Sequence, residues 1–320
     1  MKKALIIAGI IMLTVVMGIG GYGYYMYKSV QGTVDNKMHQ PLEREKSEKR
    51  FEVVDIEQAE PLSFLLLGVD AQDSTRGRTD TIMVVTVNPA DNSMKMLSIP
   101  RDTRTEIIGR GFDDKINHAF AFGGAEMTVN TVENFLDIPI DYYATVNMNG
   151  FKDIVDALGG VTVDNDFAFS SGGHQFNEGE IFLEGDQALA FARMRKQDTR
   201  GDFGRNDRQR QIVMAIIEEG AQFSSITRAG SILDALGDNV LTDVSFDNMV
   251  KIQEKYRSAR HNMETIEITG SGTRIDNIYY LVVPEEERLR VSGELRTHLG
   301  LDEDSSSVAA VEEEEETANN

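Results

Sequence analysis

The sequence contains no cysteine and only five histidines, and these shortages exclude several kinds of site. Without cysteine the chain forms neither a disulfide framework nor a thiolate metal centre. The histidines are widely scattered, with no pair at helical ligand spacing, so no zinc site is expected. The sequence patterns of P-loops, helical zinc proteases and serine hydrolases are absent as well.

Positive charge is also scarce. The formal net charge is −21, with 32 basic against 53 acidic residues. Binding of nucleic acid needs a basic face that displaces counterions, so no nucleic-acid partner is expected. Residues 301–320 hold eight acids and no base, and we expect them to form a disordered acidic tail.

One long apolar run stands at the N-terminus. After Lys2 and Lys3, residues 4–27 contain no charged side chain. A helix of these 24 residues spans roughly 36 Å, enough to cross a bilayer. Residues 1–27 are therefore expected to be a cytoplasmic tip and transmembrane signal anchor, with the rest of this single-pass membrane protein outside the cytoplasm. A cleavable signal peptide is the alternative, and the tyrosines that continue to Tyr27, like an interfacial belt, argue against cleavage.

The remaining chain divides into a linker and one domain. Residues 28–60 mix both charge signs and contain few large apolar residues, which is typical of an extracellular stalk. Residues 61–300 alternate apolar strand runs with helical patterns, so they predict a single layered α/β domain.

Three apolar runs open this domain, SFLLLGV, TIMVVTV and SMKMLSI, and each predicts a buried strand. The turn residues 88–93 predict an antiparallel hairpin between the second and third strands. Following the strand directions brings Asp70, Asp80 and Arg101 to one edge of the sheet. Loop 70–80 is rich in Asp, Arg and Gly, and polar loops at such an edge often carry a site.

This edge gathers acids and arginines, namely Asp70, Arg76, Arg78, Asp80 and Arg101. Two carboxylates held close suit Mg²⁺, which takes few protein oxygens and leaves room for phosphate and water. Taken singly, Asp70 is explained by default as a strand-end turn residue, and Asp80 is also explained as a turn cap.

A second basic cluster lies in residues 192–211, with six arginines and one lysine. The pattern predicts a helix ending near Arg193 and another whose N-cap is Asn206 or Asp207. The free N–H groups and dipole of a helix N-terminus favour anions, so arginines beside it would make a phosphate clamp. The arginines of this hypothesis are Arg193, Arg195, Arg205 and Arg208. The competing interpretation, which this segment alone favours, pairs the arginines with nearby acids at the surface, namely Asp198, Asp202 and Asp207.

Six ordered motifs resemble the LytR-CpsA-Psr family of bacterial envelope proteins. They are LLLGVD, GRTDTIMVV, LSIPRDT, KINHAFAFGG, DIVDALGGV and ALAFARMR followed by DFGRNDRQRQ, over residues 62–220 and more weakly toward residue 300. Family members are phosphotransferases that move glycan polymers from a polyprenyl-pyrophosphate carrier to peptidoglycan, outside the membrane and with Mg²⁺. The resemblance implies a three-layer α/β/α sandwich around a mixed central sheet, preceded by one transmembrane helix, with a hydrophobic pocket for the lipid chain.

The resemblance also implies roles for single residues. Asp70 and Asp80 would hold Mg²⁺, with Mn²⁺ as an alternative ion. The residues expected to grip the lipid pyrophosphate are Arg78, Arg101, Arg193, Arg195, Arg205, Arg208 and Gln209. Three of them, Arg78, Arg101 and Arg205, are the expected catalytic residues.

The implied partners are the membrane of a Gram-positive-type envelope, peptidoglycan and a polyprenyl-pyrophosphate-linked glycan, either a teichoic acid or a capsule-like polysaccharide. Two other functions stay open: a hydrolase that cleaves the same pyrophosphate, and a non-catalytic envelope protein that holds lipid or glycan. His118 is the only histidine within the six motifs. This shortage of bases that activate water favours a glycan hydroxyl as the nucleophile.

Overall fold

A computed structural model describes residues 27–71, 77–222 and 237–301. The strands are β1 Leu62–Val69, β2 Thr79–Asn88, β3 Ser93–Ser98, β4 Arg104–Ile107, β5 Phe112–Lys115, β6 Tyr142–Asn147, β7 Val161–Asn165, β8 Phe169–Ser171, β9 His174–Phe176, β10 Gly179–Leu183, β11 Val240–Thr242, β12 Met263–Ile266, β13 Ser271–Ile275 and β14 Ile278–Val282. The α-helices are α1 His118–Leu136, α2 Met148–Leu158, α3 Gly185–Arg193, α4 Asp202–Gln222, α5 Phe246–Tyr256 and α6 Glu285–His298.

A six-stranded mixed sheet forms the centre of the fold, in the order β11-β6-β1-β2-β3-β12. Strand β2 runs antiparallel to both β1 and β3, and β2 and β3 form the hairpin expected from the turn residues between them. Asn92 closes that hairpin at a φ of 49°, a left-handed conformation that asparagine tolerates. Because β6 runs parallel to β1 and β12 parallel to β3, the sheet is mixed, as expected.

Helices cover both faces of this sheet. On one face, α1 and α6 pack on the alternate residues of β1 and β2, and the contact includes Leu65, Leu67, Val84, Val132, Leu136, Val291 and Leu295. On the other face the side chains of α4 and α5 meet Met83, Val85 and Val87 of β2. Alternate residues of β1 and β2 therefore face opposite helical layers, and both faces of these strands are buried. This is why their sequences are nearly continuous apolar runs. The α/β class is confirmed.

Residues 28–60 lie against the domain, where the sequence pattern indicates a stalk. Val30, Val34 and Met38 recur at helical spacing and are buried against β11 and α5. Further along, the guanidinium of Arg44 donates to Glu133 at 2.6 Å, and that of Arg50 donates to Asp141 at 2.6 Å. Charged residues of this segment, which the sequence pattern assigns to a solvated linker, therefore form ion pairs with the domain.

The membrane anchor expected from the sequence lies outside the described residues, apart from Tyr27. Among the helices that the structure describes, none is both long enough and apolar enough to cross a bilayer. Most of the acidic tail, residues 302–320, and the loop residue Arg76 also lie outside the described part of the chain.

One carboxylic acid in the domain makes stability depend on pH. Asp243 accepts a hydrogen bond from the backbone N–H of Tyr143 at 2.8 Å. Burial, together with the nearby charge of Asp141, raises the pKa of Asp243 from its ordinary value of 3.8 to about 7. Between these two values the unfolded chain loses a proton that the folded chain keeps, so the contribution of Asp243 to stability falls as pH rises.

We therefore expect Asp243→Asn to stabilise the protein more at pH 8 than at pH 5. The amide cannot ionise, which removes a cost of up to about 4 kcal/mol above pH 7. Urea unfolding of both proteins across pH 4 to 8 measures the difference, which should grow from near zero at the acid end. A difference independent of pH would show that Asp243 is ionised throughout the range.

Candidate active site

The ends of β1, β2 and β3 meet at one edge of the sheet, as the strand directions predict. The backbone N–H of Asp70, just after β1, donates to the carbonyl of Arg78 at 3.0 Å. Asp80 is the second residue of β2, and Arg101 follows β3. These residues line one open, polar cavity of about 1090 Å³, called the polar cleft below.

Charges in the polar cleft are already paired in part. The Arg101 guanidinium donates to Oδ1 of Asp80 at 2.7 Å, and Lys115 makes a similar contact of 2.7 Å with Asp102. Partial burial works against the charged form of Arg101, but the hydrogen bond and charge of Asp80 outweigh it and raise its pKa. Arg101 therefore stays a full cation beside an acid that is still one-third exposed.

Helix α4 begins at Asp202, earlier than the sequence pattern indicates. The expected N-cap, Asn206 or Asp207, lies inside the helix instead. Gly201 takes a φ of 61° and its carbonyl accepts the N–H of Arg205 at 3.3 Å. The predicted helix start at residue 206 is therefore wrong, and Arg205 lies in the first turn of the helix as observed.

Arg205 is the most buried cation at the junction of α4 and the sheet, with 6 % of its surface exposed. Its Nη2 donates to the carbonyl oxygen of Asp80 at 3.3 Å and to Asp202 at 3.1 Å. Its Nε is buried and has no hydrogen-bond partner among the described residues. Burial and the positive charges of Arg101 and Arg195 lower the pKa of Arg205. A bound anion would relieve both the missing bond and the repulsion.

Arg193 and Gln209 complete the basic side of the junction. Nη2 of Arg193, the last residue of α3, lies 3.8 Å from Oδ1 of Asp70. Gln209 is one turn after Arg205 on α4, and both line the same cavity as Arg193. Arg78, between the two acids, lines the polar cleft. Five of the seven residues expected to grip a pyrophosphate thus come together here.

Arg208 and Arg195 do not join this group. Arg208 is buried and donates to Asp198 and to the carbonyl of Met194, each at 2.7 Å, with its guanidinium 5.6 Å from the ring centre of Phe169. Arg195 is half exposed, with its Nε 3.6 Å from Asp202. Within the described part of the chain neither residue lines either cavity. The pairing of Arg208 with Asp198 agrees with the competing interpretation, in which the arginines pair with nearby acids. That interpretation placed the pairs at the surface, whereas this pair is buried.

A second, apolar cavity of about 490 Å³ adjoins the polar cleft. It lies between the sheet and helices α2, α3 and α4, and its lining includes Leu66, Met83, Val146, Phe151, Val213 and Ile217. Residue patterns alone did not point to this cavity. The one sequence signal near it is the apolar stripe of α4 that continues from Gln209. An apolar stripe that lines a cavity has the same sequence pattern as one that packs in a core, so the stripe does not predict a cavity.

Asp70 and Asp80 line both cavities and therefore mark the boundary between them. Their side chains are 42 % and 33 % exposed, so water and ligand oxygens reach them. Among the described residues no three acidic or histidine side chains come together as metal ligands. Mg²⁺ is usually held by one or two carboxylates and completes its shell with water and substrate phosphates. The two aspartates fit such an ion.

The chain is similar to known proteins along most of its length. The model of the LytR_cpsA_psr family matches residues 24–297. A protein of Halalkalibacterium halodurans named polyisoprenyl-teichoic acid–peptidoglycan teichoic acid transferase TagU is 63 % identical over 304 residues, which are 94 % of this chain and 100 % of that protein.

Solved structures show the same fold. The crystal structure of TagU from B. subtilis is 50 % identical, with a TM-score of 0.63, and the match covers 75 % of this chain and 97 % of that one. A structure of TagT bound to LI-WTA is 33 % identical, with a TM-score of 0.71, over 82 % of this chain and 100 % of that one.

Proposed function

The chain belongs to the LytR-CpsA-Psr family, and from that premise we propose that it transfers a teichoic acid from a polyisoprenyl-pyrophosphate carrier to peptidoglycan. The observation that carries this proposal is the boundary between the two cavities. A polyisoprenyl pyrophosphate is apolar at one end and highly charged in the middle, and its glycan is polar. The site has three parts in the same order. The apolar cavity matches the lipid, the arginines beside Asp70 and Asp80 match the pyrophosphate, and the polar cleft matches the glycan.

The lipid chain occupies the apolar cavity in this proposal. Its lining from β1, β2 and α4 removes isoprene units from water, which contributes about 25 cal/mol for each Å² of apolar surface buried. The cavity opens beside Arg193, Arg205 and Gln209, so a chain inserted there places its phosphates among these donors.

The arginines act on the charge of the reacting phosphates. Planar guanidinium groups bind phosphate oxygens through paired hydrogen bonds and remain charged at every physiological pH. Arg101 and Arg205 approach the boundary from the sheet and from α4, and Arg78 approaches from the loop before β2. Donors fixed before the reaction stabilise the negative charge that develops on the oxygens in the transition state.

Asp70 and Asp80 would hold Mg²⁺ in this site. The ion would supply positive charge to the pyrophosphate oxygens and so favour cleavage of the bond from the glycan-bearing phosphorus to the bridging oxygen. Arg101, whose guanidinium pairs with Asp80 in this structure, is placed to bind a phosphate oxygen beside these carboxylates.

The position of the domain relative to the membrane is part of the same proposal. Residues 4–27 anchor the chain and leave the domain on the outer side, where peptidoglycan and the sugar end of a lipid-linked precursor are found. The packed segment 28–60 keeps the domain close to the bilayer, which shortens the path of the lipid chain to the apolar cavity.

The test is a product analysis with the full-length chain in vesicles. A synthetic polyprenyl-pyrophosphate-linked glycan, Mg²⁺ and purified peptidoglycan should yield glycan joined to the wall and one equivalent of polyprenyl phosphate. A chelator should stop both products, and added Mg²⁺ or Mn²⁺ should restore them. Glycan phosphate released without a wall-linked product would identify a hydrolase, and tight binding without any product would identify a lipid-binding or glycan-binding protein.

A further inference from the structure

The polar cleft extends well beyond the pyrophosphate site, to a wall with its own chemistry. This wall is lined by Lys115, the last residue of β5, and by the first turns of α1, and Tyr280 of β14 contacts Asp114 behind it. His118 and Phe122 of α1 line the same cleft as Asp80 and Arg101. None of the roles proposed above uses these residues.

His118 has the arrangement of a base held by a carboxylate. Its Nδ1 lies 2.7 Å from Oδ2 of Asp114, which leaves Nε2 without a hydrogen-bond partner among the described residues. Oδ1 of Asp114 accepts the backbone N–H of Lys115 at 2.8 Å and the hydroxyl of Tyr280 at 3.3 Å. A histidine oriented in this way through one nitrogen accepts a proton at the other.

The acid of this pair stays ionised. Partial burial favours protonation of Asp114, but the hydrogen bonds from His118, the Lys115 N–H and Tyr280 outweigh it and lower its pKa. Other charged groups near the wall are Lys115, paired with Asp102, Arg104, paired with Asp113, and Arg110 and Asp276. An ionised Asp114 stabilises the imidazolium that forms when His118 takes a proton.

Exposed aromatic rings stand next to His118. Phe112 and Phe122 are 44 % and 38 % exposed, and their ring centres are 6.0 Å apart. The ring of Phe122 lies 6.1 Å from the imidazole of His118, and the guanidinium of Arg110 covers it at 4.8 Å. Gly124, with a φ of 67°, interrupts α1 just after Phe122. The first turn of the helix, which carries His118 and Phe122, is therefore separated from the rest of α1. An aromatic face beside polar donors suits a sugar ring, which is apolar on its C–H face and polar at its rim.

We propose that this wall binds the acceptor sugar of peptidoglycan, with the ring packed on Phe122 and the attacking hydroxyl hydrogen-bonded to Nε2 of His118. The proposal rests on the transferase function proposed above and names the acceptor part of its site. Occupation by the glycan of the lipid-linked donor is the alternative that the test must separate.

In the reaction step His118 acts as the general base. The hydroxyl oxygen forms a bond to the phosphorus that carries the glycan while its proton passes to Nε2. The bond from that phosphorus to the bridging oxygen breaks, and polyprenyl phosphate leaves with the electron pair. His118 then returns the proton to water or to the leaving phosphate. No oxidant, reductant or further reactant is needed.

The first arm of the test is His118→Gln in the full-length chain, with a soluble glycan-strand fragment as acceptor. The maximal rate should fall by about 10²- to 10⁴-fold, the usual contribution of a general base. The dissociation constant of the lipid-linked donor should stay within twofold of its original value. The dependence of the maximal rate on pH should change as well, because the proposed base is no longer present. His174→Gln, in β9 and away from the cleft, is the matched control and should behave as the unmodified chain does.

The second arm is Phe122→Ala, with Phe182→Ala, a more exposed aromatic outside the cleft, as control. The KM for the glycan fragment should rise about tenfold while the Kd of the donor stays constant. A weaker Kd for the donor would assign the wall to the donor glycan and overturn the proposal. So would a His118→Gln variant that keeps its rate and its pH profile. If the unmodified chain binds donor but forms no wall-linked product, the transferase function itself fails first.

Discussion

Replacing Arg205 by alanine is expected to lower donor turnover roughly 10- to 150-fold without unfolding the protein. The loss corresponds to one charge-assisted hydrogen bond to phosphate, about 1.5 to 3 kcal/mol. The buried Nε of Arg205 lacks a partner among the described residues, as does that of Arg208, but only Arg205 of the two lines a cavity, and burial and neighbouring arginines lower its pKa. A bound anion would therefore supply a hydrogen-bond partner and a compensating charge. Steady-state rates of lipid release measure the effect.

Arg210→Ala is the matched control for this experiment. Arg210 lies on the same helix, is 9 % exposed and pairs with Asp207 rather than lining a cavity. Equal losses at Arg205 and Arg210 would point to a diffuse field of positive charge in place of a defined clamp. Arg205→Lys keeps the charge but not the planar fork, so it should recover only part of the rate.

Replacing Arg208 by alanine, one turn later, is expected to destabilise the fold by about 3 to 5 kcal/mol. This arginine is 3 % exposed, and its removal leaves the buried carboxylate of Asp198 without its closest cation. Hydrogen bonds from Arg208 and Arg200 outweigh the burial of Asp198 and lower its pKa to about 2, so that acid is charged throughout the physiological range. Thermal and urea unfolding measure the loss.

Two comparisons separate this structural role from substrate binding. Arg200→Ala removes a largely exposed partner of the same carboxylate and should cost no more than about 1 kcal/mol. In conditions where the Arg208→Ala protein is still folded, its Kd for the lipid-linked donor should be unchanged. A stable variant with weakened donor binding would place Arg208 among the phosphate ligands, as the family resemblance implies.

The strands and the edge where the acids meet follow from local sequence. Continuous apolar runs marked β1, β2 and β3, and Asn88, Pro89 and Asn92 marked the turn between the last two. Once the hairpin is known, the meeting of Asp70, Asp80 and Arg101 needs only the direction of each strand. These inferences succeed because they depend on periodicity and on turns of a few residues.

The different fates of Arg205 and Arg208 could not be predicted in the same way. The two arginines are three residues apart on one helix and therefore lie close together on one face. The spacing alone predicts the same surroundings for both. Their roles separate because the loop before α4 brings Asp198 under Arg208. Gly204 makes this possible, since an added Cβ would overlap the Asp198 carboxylate. The sequence pattern likewise missed that residues 28–60 find charge partners on the domain, because those partners are distant in the chain.

The boundary at Asp70 and Asp80 also bears on polymer length. Cleavage of a pyrophosphate there leaves the lipid phosphate in the apolar cavity and the glycan in a cleft open to solvent. Neither product has to pass the other on its way out. The cleft needs to hold only the first sugars of the polymer, and the rest of the chain stays in solution. A transferase built in this way can process short and long polymers at one site, because the described residues of the cleft need contact only the sugars next to the pyrophosphate.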